Sequence, residues 1–311
     1  MPLHVVTPLV DSPPLARAFG ARIWVKLETL QPAGSFKIRG IGRACEAAMA
    51  AGAKRFVSSS GGNAGLAVAY AGRMLGVPAS ITVPTTTSAR MIGLMRAEGA
   101  TVTVHGAAWD DAHAAALAEC AREGGFYVHP FDDPAVWHGN ATLVEEAAAQ
   151  GMEKPGAVVA SVGGGGLLCG VLEGMHAVGW GDVPVLAVET RGAASLHAAI
   201  EAGEPVDIGA IASIATTLGA RKVCRRVLDW TREHPVTSWL VSDREALDAC
   251  LRFADETRVL VEPACGAALA AVYGRAAPVA GARSLFVVGC GGAGVTPADL
   301  ARWDATVPRT A

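Results

Sequence analysis

The chain has 311 residues, enough to bury one or two sizeable cores, and its net charge of −3 comes from 26 basic and 29 acidic residues mixed along the sequence. No basic block marks nucleic acid or an anionic membrane as partner, and no apolar run approaches the ~20 residues of a membrane span. Seven cysteines, an odd number with no Cys-x-x-Cys pair, argue against a disulfide framework or a structural zinc site and point to a reducing, cytoplasmic setting.

Met1-Pro2-Leu3-His4 lacks the charged and then apolar layout of a secretory signal. From there short β-branched runs alternate with alanine-rich helical patterns. Strands are predicted at 23–27, 55–58, 80–83, 101–104, 157–161, 185–188, 236–241 and 285–288. Helices are predicted at 38–51, 64–75, 88–98, 109–122, 134–149 and 243–254. Such alternation implies an α/β fold with open, mostly parallel sheet and crossover helices. Asp132-Asp133-Pro134 is turn-like and would return the chain to a second sheet. The expected organisation is a small α/β domain over 34–135 and a discontinuous large domain over 1–33 and 136–311.

The first candidate for chemistry is Lys37, in Gly34-Ser35-Phe36-Lys37-Ile38-Arg39-Gly40 at the start of a helical pattern. Positive helix-end charge favours the neutral amine, and a neutral lysine is what Schiff-base chemistry needs. Taken alone, the motif also suits an ordinary solvated lysine.

Three glycine-rich turns follow predicted strands, where open α/β sheets gather their ligand loops. Ser58-Ser59-Ser60-Gly61-Gly62-Asn63-Ala64-Gly65 suits a carboxylate or phosphate, or simply a capped helix start. Ser161-Val162-Gly163-Gly164-Gly165-Gly166-Leu167 carries four successive glycines, best explained by phosphate held on backbone N–H groups. Gly289-Cys290-Gly291-Gly292-Ala293-Gly294 matches Gly-x-Gly-x-x-Gly, but the chain ends too soon for the second strand and acidic residue of a dinucleotide site.

Together these motifs, with Val261-Glu262-Pro263-Ala264-Cys265-Gly266, resemble those of the fold-type II pyridoxal-phosphate enzymes. Within that group the chain is similar to the serine/threonine dehydratases, and most to the compact L-serine dehydratases of the liver type. The resemblance covers nearly the whole chain. It implies a fold of the tryptophan synthase β type and pyridoxal 5'-phosphate as cofactor. Lys37 would carry the Schiff base and later shuttle the α-proton. Phe36 would pack on the pyridine ring, Asn63 would bond its hydroxyl, and Cys290 would face its nitrogen. Gly163, Gly164, Gly165, Gly166 and Leu167 would hold the phosphate, which would also protonate the departing β-hydroxyl. Ser60, Gly61, Asn63 and Ala64 would line the substrate carboxylate site. The family also implies a homodimer and a monovalent cation, K+, near Glu189 and the carbonyls of Gly163, Ala193, Leu218 and Ala220. A solvated surface glutamate is the competing reading of Glu189.

The activity implied is β-elimination from L-serine, with L-threonine as a further substrate, giving pyruvate or 2-oxobutyrate and ammonia. A β-replacement enzyme of the same fold, such as a cysteine or cystathionine synthase, and a non-catalytic cofactor-binding protein are the alternatives. Gly61 departs from the alanine of the liver type and from the serine of racemases of this fold. It leaves no acid opposite Lys37 for racemisation, and the missing methyl predicts looser substrate seating and modest turnover.

Overall fold

Residues 2–309 are described in the computed structural model. The chain begins with β1 (Leu9–Asp11), α1 (Pro13–Phe19), β2 (Arg22–Leu27) and α2 (Lys37–Ala50). It continues through β3 (Phe56–Ser58), α3 (Asn63–Leu75), β4 (Ala79–Val83), α4 (Ala89–Ala97), β5 (Thr101–Val104), α5 (Trp109–Glu123) and β6 (Phe126–Tyr127). Next come α6 (Pro134–Ala149), β7 (Ala157–Ser161), α7 (Gly166–Ala177), β8 (Val185–Thr190) and α8 (Ser195–Ala202). The last elements are α9 (Arg225–Glu233), β9 (Val236–Val241), α10 (Asp243–Thr257), α11 (Pro263–Tyr273), β10 (Ser284–Gly289) and α12 (Pro297–Thr306).

Two sheets result, ordered β1-β2-β10-β7-β8-β9 and β5-β4-β3-β6. Apart from the antiparallel β1–β2 pair, neighbouring strands run parallel. Every residue of β7 and β8 is buried, as expected for strands covered by helices on both faces. The register aligns Gly289 with Leu27 and Ser161 with Val188, so the turns after β2, β10, β7 and β8 emerge at one edge. In the smaller sheet Ser58 aligns with Ile81, which puts the turns after β3 and β4 side by side. The α/β expectation of two open, mostly parallel sheets is met.

Each sheet has its own apolar core. One contains Leu15, Phe19, Val159, Leu172 and Leu285, and the other contains Ile38, Phe56, Val68, Ile81 and Met95. Each such side chain taken from water contributes about 1.5–3 kcal/mol. The chain thus starts in the larger sheet, leaves to build the smaller one and returns at β7. Helix α6 contributes Val136 to the second core and Leu143 to the first. No helix among the described residues is long and apolar enough to cross a membrane.

Candidate active site

Lys37 is the first residue of α2, half-buried, and its Nζ donates to the Pro130 carbonyl at 2.7 Å. Loss of solvent lowers the amine from 10.5 to about 8, with Glu262 opposing the shift. Burial, not the helix end named from sequence, is the cause found here. The segment before Lys37 is locked to the third glycine turn. Phe36 N–H donates to the Cys290 carbonyl at 3.0 Å, Gly292 N–H to the Gly34 carbonyl at 3.1 Å, and Ser35 forms an antiparallel bridge with Gly291. A Cβ on Gly291, which has φ +140°, would lie 2.6 Å from the Ser35 Cα. The glycines of this turn therefore make room for the lysine segment. Their Gly-x-Gly-x-x-Gly spelling records that contact.

Cys290 is 5% exposed, and its thiol is pushed well above the usual range by the neighbouring Cys265 and by burial. It is a neutral thiol one residue from the strand end that faces Phe36. In the first glycine turn, Ser59 Oγ shares a hydrogen bond with the Tyr127 hydroxyl at 2.7 Å, and Gly62 N–H donates to Ser60 Oγ at 3.3 Å. Asn63 and Ala64, both buried, begin α3.

The vacancy expected at Gly61 is filled. A Cβ there would run into the Thr87 hydroxyl and lie 2.9 Å from Thr87 Cγ2 and 3.1 Å from Thr87 Cβ. Thr87, from the turn after β4, stands where the missing methyl would be. The looser seat predicted from sequence is corrected accordingly.

The turn Gly163–Gly166 leads from β7 into α7, and Gly165 has φ +98°. Each glycine meets protein closely, two of them at Phe131. A Cβ on Gly163 would lie 3.2 Å from the Leu218 Cα, one on Gly164 2.5 Å from the Phe131 ring, and one on Gly166 2.6 Å from the Phe131 carbonyl. Close approach by protein thus also accounts for glycines that the sequence explained best by a bound phosphate. The same packing turns the peptide planes. Cys224 N–H holds the Gly164 carbonyl at 3.0 Å, and Asn140 Nδ2 holds the Gly166 carbonyl at 2.9 Å. The first N–H groups of α7, Leu167 included, lack partners within their own helix and can take an anion.

Contacts link these turns into one site. Pro130, which holds Lys37, adjoins Phe131, which covers Gly164. Asn63 Nδ2 donates to Glu262 Oε1 at 2.8 Å, as does Thr217 Oγ1, and Thr217 adjoins the Leu218 that touches Gly163. Glu262, Thr217, Phe131 and Thr87 were given no role from sequence. Glu262 was legible only as a letter of the Val261-Glu262-Pro263 motif; the others carried no signal before the turns were brought together.

Glu189 lies apart from this ring of contacts. It is fully buried, so the solvated reading is wrong, and its two oxygens accept the N–H groups of Leu196 and His197 at 2.8 Å each. Desolvation raises it to about 7. Ala193 is buried in the turn before α8, and Ala220 N–H donates to the Leu218 carbonyl at 2.7 Å. Gly163 and Leu218 are adjacent, whereas the Glu189 oxygens cap α8.

A family model described as pyridoxal-phosphate dependent enzyme matches residues 1–291. An L-serine dehydratase/L-threonine deaminase of Homo sapiens is 48% identical over 311 residues, covering 96% of this chain and 94% of that protein. The crystal structure of a fungal L-serine ammonia-lyase from Rhizomucor miehei superposes with a TM-score of 0.93 at 37% identity, over 98% of this chain and 99% of that one. A maize serine racemase, at 24% identity and a TM-score of 0.89 over 97% and 92% of the two chains, shares the fold.

Proposed function

The chain belongs to the pyridoxal-phosphate-dependent enzymes, and from that premise we propose that it deaminates L-serine to pyruvate and ammonia, with L-threonine giving 2-oxobutyrate. The observation that carries the reading is Lys37, an amine brought to about 8 by burial and enclosed between Cys290, Pro130 and the Asn63–Glu262 pair.

The residues present fit the cofactor. Asn63 Oδ1 is buried without a protein partner, as required of an atom kept for a ligand hydroxyl. The peptide planes of Gly163–Gly166 are fixed by Cys224 and Asn140, so the N–H groups at the start of α7, with that of Leu167, would hold the phosphate. Phe36 would cover the ring, and the Cys290 thiol, a weak donor, would face its nitrogen. Pyridoxal phosphate bound here supplies an electron sink that makes the α-carbon of an amino acid acidic.

The rest is done by the chain. Lys37, as a neutral amine, would anchor the cofactor, and its Nζ would take the α-proton of the bound amino acid. The turn Ser60, Gly61, Asn63 and Ala64 binds the substrate carboxylate and so orients the α-hydrogen toward Lys37. Water leaves in the elimination and is added back when the enamine hydrolyses, so the net change is loss of ammonia. A monovalent cation near the Gly163 and Leu218 carbonyls, with Glu189, Ala193 and Ala220, is part of this reading, as are a small domain over 34–135, a cytoplasmic homodimer and a free amino acid as substrate.

The test is product formation from serine and from threonine, with and without added thiol, beside Lys37→Ala. Pyruvate from serine alone, lost in Lys37→Ala, is the expected result. Turnover only with a thiol would sink the elimination reading in favour of β-replacement. Replacing potassium by a bulky organic cation should lower the rate.

A further inference from the structure

His129 lies two residues past β6, half-buried, and has no part in the reading above. Its Nδ1 accepts two successive backbone N–H groups, from Phe131 at 3.3 Å and from Asp132 at 2.8 Å. A backbone N–H can only donate, so Nδ1 carries no proton and the ring hydrogen sits on Nε2. Burial, aided by the charges of His113 and Lys37, lowers the imidazole to about 4, so the acceptor is available throughout the neutral pH range.

Each of the two N–H groups shares a peptide plane with a carbonyl that reaches the site. In a trans peptide the N–H and C=O point in opposite directions, and no described peptide bond is cis. The Phe131 N–H belongs with the Pro130 carbonyl, which accepts from Lys37 Nζ at 2.7 Å. The Asp132 N–H belongs with the Phe131 carbonyl, which accepts from Trp137 Nε1 at 2.7 Å and lies against Gly166 in the phosphate turn. The rings follow the same line. That of His129 meets Tyr127 edge-on at 6.3 Å and Phe131 at 4.8 Å, and the Tyr127 hydroxyl holds Ser59 of the first glycine turn.

We propose that His129 is a positioning residue: by holding the N–H ends of these two planes it aims the Pro130 carbonyl at Lys37, and so sets where the amine stands when it is free of the cofactor. The inference rests on Lys37 being the amine of a pyridoxal-phosphate site. A general base has to be held within reach of the proton it takes, and a misplacement of about 1 Å can lower the rate about a hundredfold. His129 acts on the reaction through Pro130.

Two variants separate the acceptor from the ring. His129→Phe keeps the edge contacts and removes Nδ1. His129→Asn removes the ring and keeps an oxygen that can accept the N–H groups two and three residues on. In the cofactor-free, full-length protein, the pH midpoint of Lys37 acylation by an acid anhydride, read by peptide mass spectrometry, reports the amine directly. His129→Phe should lower that midpoint, because a carbonyl oxygen favours the charged amine. In the holoenzyme it should lower kcat for serine between about tenfold and a hundredfold, with KM changed less than about twofold. His129→Asn should keep the midpoint and kcat near the wild-type values. An unmoved midpoint in His129→Phe overturns the proposal, whatever happens to kcat. So does a folded His129→Asn whose midpoint falls, and this arm decides the matter even if His129→Phe does not fold. Wild-type protein that binds no pyridoxal phosphate would instead refute the site assignment itself.

Discussion

At the scale of single residues, the chemistry of Lys37 has a cost in stability. Its amine falls from 10.5 to about 8 because folding removes it from water. The folded value lies below the unfolded one, so between pH 8 and 10.5 the unfolded chain holds more protons and stability rises with pH. Below about 8 the whole penalty is present, up to ~3 kcal/mol by the usual conversion. Lys37→Met should therefore abolish activity yet leave the cofactor-free protein more stable at pH 7, with the advantage shrinking as pH rises toward 10. Urea unfolding at several pH values checks this; a variant less stable at pH 7 would contradict it. Gly61 belongs to the same scale. Because Thr87 fills the space beside it, Gly61→Ala should raise KM, and Gly61→Ala/Thr87→Ser should not recover it, since the serine hydroxyl still meets the new methyl. Thr87→Gly in the Gly61→Ala background removes the obstacle and should recover it. Substrate kinetics of the three variants decide whether overpacking is the cause.

Helix α2 is what brings Lys37 to the larger sheet, and its anchor is Arg39, two residues further on. Arg39 is fully buried, with Nε on Glu28 Oε2 and Nη2 on Glu146 Oε2, each at 2.7 Å. Glu28 follows β2 and Glu146 lies on α6, so one guanidinium fastens α2 to two parts of the larger-sheet half. The backbones of α2 and α6 also nearly touch, since a Cβ on Gly139 would lie 2.7 Å from the Gly40 Cα. Arg39→Met leaves the fully buried Glu28 without its ion partner, while Glu146 keeps Lys26 at 2.9 Å, and breaking such a buried pair typically costs about 3–5 kcal/mol. Chemical denaturation should show a loss of that order, and a loss below 1 kcal/mol would mean the network is dispensable. At this scale the sequence was only partly legible. Helices with one apolar stripe, such as α10 with its Ser242–Glu245 capping box, declared themselves. Helix α11 did not, because nearly every residue from Pro263 to Val272 is buried and no polar face sets a period. Strand β6, with two residues, has no pattern to read. The glycine turns were visible as sites, but their partners Phe131, Thr87 and Thr217 come from other turns and have no spacing relation to them.

At the scale of the molecule, the site is where two separately cored halves meet. Asn63, Ser60 and Thr87 belong to the smaller sheet's turns, while Gly163–Gly166, Glu262, Thr217 and Cys290 belong to the larger sheet's. The direct polar ties across this seam include Asn63–Glu262 and the backbone pairs Phe36–Cys290 and Gly292–Gly34, with the Arg39 network behind them. A ligand that occupies the seam adds contacts to both halves at once. It stabilises the native state by RT ln(1 + [L]/Kd), about 2.7 kcal/mol at a hundredfold excess over Kd. Pyridoxal phosphate should therefore raise the melting temperature of the cofactor-free protein. It should also slow amide hydrogen exchange on both sides of the seam, over 59–65 in one half and over 163–167, 216–220 and 289–292 in the other. Lys37→Ala should keep part of this protection, because the phosphate turn and Asn63 remain. Protection confined to the larger-sheet turns would mean that the ligand does not bridge the halves, and that the smaller sheet closes only when the amino acid itself arrives.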